Sequence, residues 1–402
     1  MNYRQVVEWL FNQLANYHKQ GSAAYKPGLE NITNLLKEIG NPQEGLKCVH
    51  IAGTNGKGST AHMVAAMAIE NGYKVGLFTS PHIKDFRERI RINGQMIDES
   101  FVVNFVNSNK EIFEKLNPSF FEITTAMAFK AFASCNCDYA IIETGLGGRL
   151  DATNVINPLI SVITNIGIDH TEFLGDTLEQ IAAEKAGIIK KDTPTLIGEI
   201  LPETEYVFRK RTEQMNSAIY RPAALRFKLD LLGSYQQRNA NTAWKTLQVL
   251  KEKGYYFDDK KSVNALKRVH KLTGFSGRLM QISSNPAIIV DASHNPDGIQ
   301  MLMREIESVS FENLHCVFGA AADKDYELSM SYFPKNATYY LTTFNSKRAA
   351  KLTDLSAIAK NLSLNYSLYP EVQLALETAK SHVNPDDLIL VFGSFYILEK
   401  II

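Results

Sequence analysis

Short apolar runs alternate with longer amphipathic stretches along most of this chain. Residues 49–51, 75–78, 139–143 and 159–164 read as buried strands, and residues 60–71, 99–115, 124–133 and 178–188 read as helices. Strands of this kind, apolar throughout and separated by helices, predict a parallel sheet covered on both faces. A helical stretch over residues 235–253 follows. Strand-like runs then restart at residues 287–291, 314–318, 338–342 and 387–392, which predicts a second, smaller α/β unit. The boundary is placed near residues 271–278, where LTGFSGR is rich in glycine and serine, giving domains 1–275 and 276–402. In a parallel sheet ligands bind at the carboxyl ends of the strands. Four polar or glycine-rich segments (residues 53–59, 79–82, 143–154 and 165–170) each fall just past a predicted strand and would gather on one rim.

The first of these segments carries the clearest chemistry. Residues 48–60, CVHIAGTNGKGST, run from a strand through a glycine-rich turn into a helix. That layout converges backbone N–H groups and a helix N-terminus on an anion. Lys57 would then reach the outer phosphates of a nucleoside triphosphate, and the Ser59 hydroxyl would stand where a Mg²⁺ ligand is needed. The run departs from G-x-x-x-x-G-K-[ST] at two places: Ile51 stands at the first glycine position, and Gly58 directly follows the lysine.

Composition narrows the class of partner. Lys and Arg total 43 and so do Asp and Glu, so there is no basic excess to suit a nucleic-acid backbone. No apolar run approaches the ~20 residues of a membrane span. The opening MNYRQVVEWLFNQL reads as an amphipathic helix and lacks the apolar core and cleavage site of a secretory leader, so a cytoplasmic protein is expected. Cys48, Cys135, Cys137 and Cys316 have neither zinc-knuckle nor redox-pair spacing and read as free thiols.

Three further residues draw attention by position. Glu143 ends the apolar run Tyr-Ala-Ile-Ile-Glu, where nucleotide-binding sheets commonly hold Mg²⁺, with a strand-end turn cap as the plainer alternative. His170 lies past the run 160–168 on the same rim. Imidazole is unusual company for Mg²⁺, and a structural histidine is the commoner outcome. Lys185 falls in a helix of mixed character, where periodicity alone favours a solvated lysine.

GTNGKGS resembles the phosphate loop of the Mur ligase superfamily, in particular its folylpolyglutamate synthase/dihydrofolate synthase branch. TSPHIKDFRERIRING (79–94), ETGLGGRLDATN (143–154), ITNIGIDHTEFLG (163–175), EKAGI (184–188), SGRLM (276–280) and DASHNPDG (291–298) fit the same branch in order, over nearly the whole chain. The resemblance implies an α/β fold: a P-loop-containing ATPase domain with a parallel-rich sheet and a smaller Rossmann-like C-terminal glutamate-ligase domain, which would close over the reaction. It implies an ATP-dependent amide ligase that joins L-glutamate to dihydropteroate or to the γ-carboxyl of a folate through an acyl phosphate. The protein would act as a monomer on small molecules, without nucleic acid or membrane. By resemblance, Lys57, Lys185 and His170 are catalytic. Asn55, Gly56, Lys57, Gly58, Ser59, Asn239, Arg278, Asp291 and His294 bind ATP. Ser59, Ser80, Glu143 and His170 hold two Mg²⁺ ions. Gly28, Leu29, Glu30, Phe121, Glu122, Thr124, Leu150, Asp151 and Ala152 line the pterin pocket. Lys185 is implied to be carbamylated, which needs an uncharged amine and turns a cation into an anionic oxygen donor. The Arg149-Leu150-Asp151-Ala152 core resembles that of bifunctional members, with Asp151 accepting hydrogen bonds from the pterin. A peptidoglycan-type ligase and a nucleotide-dependent switch without ligase activity remain as alternative readings.

Overall fold

The computed structural model describes residues 1–20 and 28–402, with the side chains of 13–20 left out. Contacts divide the chain into two units. The first holds Met1–Gly167, Thr171–Asp230 and Gln236–Phe275; the second holds Ser276–Ile402 together with the short segments Ile168–His170 and Leu231–Tyr235. The division is therefore not a single cut along the sequence.

The first unit is built on β1 (Cys48–Ala52), β2 (Val75–Phe78), β3 (Ile90–Ile92), β4 (Gln95–Met96), β5 (Tyr139–Glu143), β6 (Ile160–Ile163), β7 (Thr195–Ile197) and β8 (Ile219–Tyr220). They form one sheet in the order β4-β3-β2-β5-β1-β6-β7-β8. All pairings from β2 to β8 are parallel, and β3 and β4 add an antiparallel edge. The central strands are buried on both faces, which is why they read as unbroken apolar runs. β1 lies between β5 and β6 in register, with Ile51 opposite Glu143 and Val162. The segments that follow these three strands therefore leave the sheet side by side.

Helix boundaries depart from the predicted ones for identifiable reasons. The helix after β1 begins at Lys57, directly after Gly56 in a left-handed conformation, so Lys57, Gly58 and Ser59 form its first turn. The stretch predicted as one helix over 99–115 is two, Glu99–Ser108 and Lys110–Leu116. At the break the Asn109 amide donates to the Phe105 carbonyl, competing with the backbone ladder. The helix predicted from 124 begins at Phe120, because Ser119 and Glu122 cap each other's backbone N–H groups in a capping box.

The second unit carries β9 (Met280–Ser284), β10 (Ala287–Asp291), β11 (Leu314–Phe318), β12 (Thr338–Thr342), β13 (Asn365–Tyr369) and β14 (Leu388–Phe392). Their order is β13-β12-β11-β14-β10-β9, parallel except for the β9–β10 pair. Its core holds an aromatic cluster, with Phe318, Phe333, Tyr339 and Phe392 packed ring against ring among aliphatic side chains. No helix among the described residues is long and apolar enough to cross a membrane.

Candidate active site

The loop after β1 is shaped by close approach. Gly53 has φ +149°, and a Cβ there would lie 1.8 Å from Thr164 Oγ1; Gly56 has φ +82°, and its Cβ would lie 2.3 Å from Asn239 Oδ1. Both positions demand glycine on two counts. Around them the loop is tied down: Thr164 donates to the Asn55 carbonyl at 2.6 Å, the Asn55 N–H donates to Asn165 Oδ1 at 2.8 Å, and Thr54 N–H donates to the Asn165 carbonyl. Asn239 reaches this loop from the helix Tyr235–Glu252, its amide held by the buried Gln236 at 2.9 Å. Gln236 carries no signal in the sequence, because only the fold brings its amide to Asn239.

Two ammonium groups meet one carbonyl of this loop. Lys57 Nζ donates to the Gly53 oxygen at 2.9 Å and Lys185 Nζ donates to the same oxygen at 3.0 Å. Lys185 is buried, contrary to the solvated lysine that helical periodicity alone favours. Glu143 is also buried; its Oε2 accepts the Ser80 N–H at 3.0 Å and stands 3.5 Å from where a Cβ of Gly58 would be. A buried carboxylate thus faces the first turn of the phosphate-loop helix, beside the buried Ser59 and the half-buried Ser80. Carboxylate and hydroxyl oxygens are the donors a hard divalent cation takes, so these residues fit Mg²⁺.

The segments predicted to hold the pterin also come together. Asn31, next to Gly28, Leu29 and Glu30, donates to Glu122 Oε2 at 3.0 Å, and Phe121 lies over Gly145, whose Cβ would meet the ring at 2.5 Å. The loop from Gly145 to Asn154 is keyed into the helix that carries Lys185. Arg149 N–H donates to the Glu184 carbonyl, and the Arg149 guanidinium meets the Glu184 carboxylate at 2.8 Å. A Cβ on Gly148 would press on the carbonyls of Glu184 and Lys185, each at 2.9 Å.

Three side chains in this region are held by hydrogen bonds within the protein. Asp151 accepts four donors of its own loop: Oδ2 takes the N–H groups of Gly145 and Leu146, and Oδ1 takes the N–H and hydroxyl of Thr153. Four donors fill a carboxylate's lone-pair positions. Burial pushes the Asp151 carboxyl upward, and these donors oppose it. Glu122 completes the capping box and binds Asn31, and the buried Thr124 hydroxyl donates to the Phe121 carbonyl.

The remaining predicted residues lie in the second unit. Asp291 is likewise occupied, accepting Leu279 N–H at 2.8 Å and Ser293 N–H at 2.7 Å, with Arg278 at 3.8 Å. Arg278 lies over the Phe395 ring, and His294 packs 5.9 Å from the same ring with Nδ1 on the Ala292 carbonyl. Burial, then Lys324, pushes the His294 ring down to about 3, so it is neutral. His170, in a left-handed conformation, has Nε2 3.2 Å from the Lys324 ammonium, which itself bonds Asp169 at 2.7 Å. Asn295 donates to Asp169 as well. Burial favours the neutral acid at Asp169, but His170, Lys324 and His294 hold its carboxyl below the usual carboxylate range. Asp169, Asn295 and Lys324 carry no local signal in the sequence, since Lys324 and Asp169 stand 155 positions apart along the chain.

With this geometry in hand, comparison with known proteins gives a consistent answer. Residues 51–221 match the Mur ligase middle domain and residues 277–395 match the Mur ligase glutamate ligase domain. The chain is 33% identical over 435 residues to the dihydrofolate synthase/folylpolyglutamate synthase of Bacillus subtilis, covering 99% of this chain and 98% of that one. It is 32% identical to a probable bifunctional folylpolyglutamate synthase/dihydropteroate synthase of Haloferax volcanii, and spans about half (50%) of that longer protein's length. The Mycobacterium tuberculosis folylpolyglutamate synthase complexed with ADP superposes with a TM-score of 0.86 at 28% identity, over 97% of this chain and 98% of that one. Fold and site together define an ATP-dependent ligase of the Mur type. Within that class, the chain belongs to the folylpolyglutamate synthase/dihydrofolate synthase family.

Proposed function

We propose that this protein attaches L-glutamate, at the expense of ATP, both to dihydropteroate and to the γ-carboxyl of a reduced folate. The observation that carries the reading is the meeting of Lys57 and Lys185 on the Gly53 carbonyl, with buried Glu143 facing the first turn of the same phosphate-loop helix. Asn55, Gly56, Lys57, Gly58 and Ser59 would cradle the triphosphate, with Asn239 closing the loop's far side. The acceptor would lie along Gly28–Glu30, Phe121 and the Leu150–Ala152 loop. The acceptor carboxylate oxygen attacks the γ-phosphorus, and the bond to the β-phosphate oxygen breaks, leaving ADP and an acyl phosphate. The glutamate nitrogen then attacks the acyl carbon, and phosphate leaves with the bridging oxygen. Lys57 and the helix N-terminus stabilise charge on the transferring group, while the loops hold the reacting atoms in line. Mg²⁺ held by Glu143, Ser59 and Ser80 would neutralise phosphate oxygens.

The test is ADP release with each acceptor. Turnover should require acceptor and L-glutamate together, with dihydropteroate and a tetrahydrofolate both active. ADP release that ignores both additions would sink the ligase reading, and activity with only one acceptor would sink the bifunctional one. Glu143→Gln keeps the shape and removes the charge. It should raise the Mg²⁺ concentration for half-maximal rate by about tenfold, on the scale of lost metal-site ligands, and a titration that overlays the parent would remove Glu143 from the metal site. Burial of Lys185 beside a second ammonium supports its carbamylation. Mass spectrometry under CO₂-retaining conditions should show the added carboxyl on Lys185, and an unmodified lysine in active protein would count against it.

A further inference from the structure

His50 is out of place by the logic of its strand. β1 reads Cys-Val-His-Ile-Ala, every residue is buried, and the positions flanking His50 are apolar. A fully buried imidazole costs solvation that an aliphatic side chain would not, and it persists where its hydrogen bond matters. Here Nε2 lies 2.8 Å from Thr153 Oγ1, and Thr153 Oγ1 lies 2.5 Å from Asp151 Oδ1. The direction of donation follows from the end of the chain. The four groups around the Asp151 carboxylate all donate to it, so the Thr153 hydroxyl gives its proton to Asp151. Thr153 Oγ1 must then accept from His50, which fixes the Nε2–H tautomer. Nδ1 of His50 is buried with no hydrogen-bond partner, as that tautomer leaves it. Burial pushes the ring down to about 3, so it carries a single N–H at neutral pH.

We propose that His50 and Thr153 are positioning residues for the acceptor loop: a buried hydrogen-bond chain from β1 through Thr153 orients the Asp151 carboxylate, whose other oxygen clamps the N–H groups of Gly145 and Leu146. β1 is also the strand that leads into Gly53, so the phosphate loop and the acceptor loop hang from one anchor. This rests on the reading of residues 145–154 as the acceptor site. Removing the Thr153 hydroxyl leaves Asp151 Oδ1 with one donor and the His50 N–H with none. The carboxylate can then rotate, and the Gly145–Leu146 turn loses its fixed geometry. The phosphate loop keeps its own ties through Thr164, Asn165 and Asn239, so ATP binding is spared.

The experiment compares Thr153→Val, which keeps shape, with Thr153→Ser, which keeps the hydroxyl, using dihydropteroate and a tetrahydrofolate as acceptors. Thr153→Val should raise KM for the acceptor roughly tenfold or more while KM for ATP stays within about twofold, and Thr153→Ser should return both to parent values. His50→Leu removes the other end of the chain and should reproduce the valine variant; it also serves if Thr153→Val does not fold. A purely structural pair would lower the thermal midpoint and leave the ratio of the two KM values unchanged, and that result overturns the proposal. Leu150→Ala reports on the loop independently. If it raises the acceptor KM and Thr153→Val and His50→Leu do not, the chain has no positioning role and the acceptor reading stands. If none of the three moves it, both fall.

Discussion

Lys57→Ala leaves a folded protein that ligates glutamate far more slowly, with kcat/KM for ATP lower by about 10²–10³-fold, the scale of losing one preorganised charge at a developing anion. The expectation comes from where the ammonium sits. Lys57 opens the helix after the phosphate loop, and its Nζ lies over that loop on the carbonyls of Gly53 and Thr54, at 2.9 and 3.2 Å. The side chain is half-buried and its Nζ is held by backbone carbonyls, so truncation removes charge with little packing. Steady-state kinetics with a thermal melt decides the matter. A variant that melts like the parent and turns over within a few-fold of it would show that Lys57 does not meet the transferring phosphoryl group.

Gly53→Ala has the second large effect, and it acts through the backbone. At φ +149° an L-residue is strained by roughly 1–3 kcal/mol, and the added methyl would stand 1.8 Å from Thr164 Oγ1. Thr164 cannot swing away cheaply, because its hydroxyl holds the Asn55 carbonyl and its N–H is bonded to Ala52 on the neighbouring strand. The loop must shift instead, and with it the Gly53 carbonyl that receives both Lys57 and Lys185. A displacement on the order of 1 Å at reacting groups costs about 10²-fold in rate. Gly53→Ala should therefore lower kcat by about that factor, raise KM for ATP and lower the thermal midpoint. Parent-like kinetics in this variant would mean that the loop's conformation is not what places the two lysines.

The parts of the fold that were legible in the sequence are those whose cause is local. Central strands such as residues 139–143 are apolar because both faces are covered, and the glycine loop announces itself because its backbone geometry excludes side chains. The boundaries that moved did so for capping and side-chain competition, at Ser119 and Asn109, which strand and helix periodicity does not weigh. Asp151 illustrates the limit of reading a site by residue type. Its four donors come from residues within six positions, and only the folded loop turns them inward. His170 illustrates the long-range case, since its partner Lys324 lies in another part of the chain and its engagement cannot be inferred from either segment alone. His50 was hidden by a strand that already looked complete without it.

The central claim is that ATP is used to activate an acceptor carboxylate, and isotope transfer tests it most directly. Dihydropteroate or a tetrahydrofolate labelled with ¹⁸O in the reacting carboxylate is incubated with enzyme, ATP, Mg²⁺ and L-glutamate, and the released phosphate is analysed by mass. Attack of that carboxylate on the γ-phosphorus predicts one ¹⁸O in each phosphate formed per amide bond. Phosphate without label, accompanying amide formation, would contradict the acyl-phosphate route and with it the placement of Lys57, Glu143 and the acceptor loop around a single phosphoryl transfer.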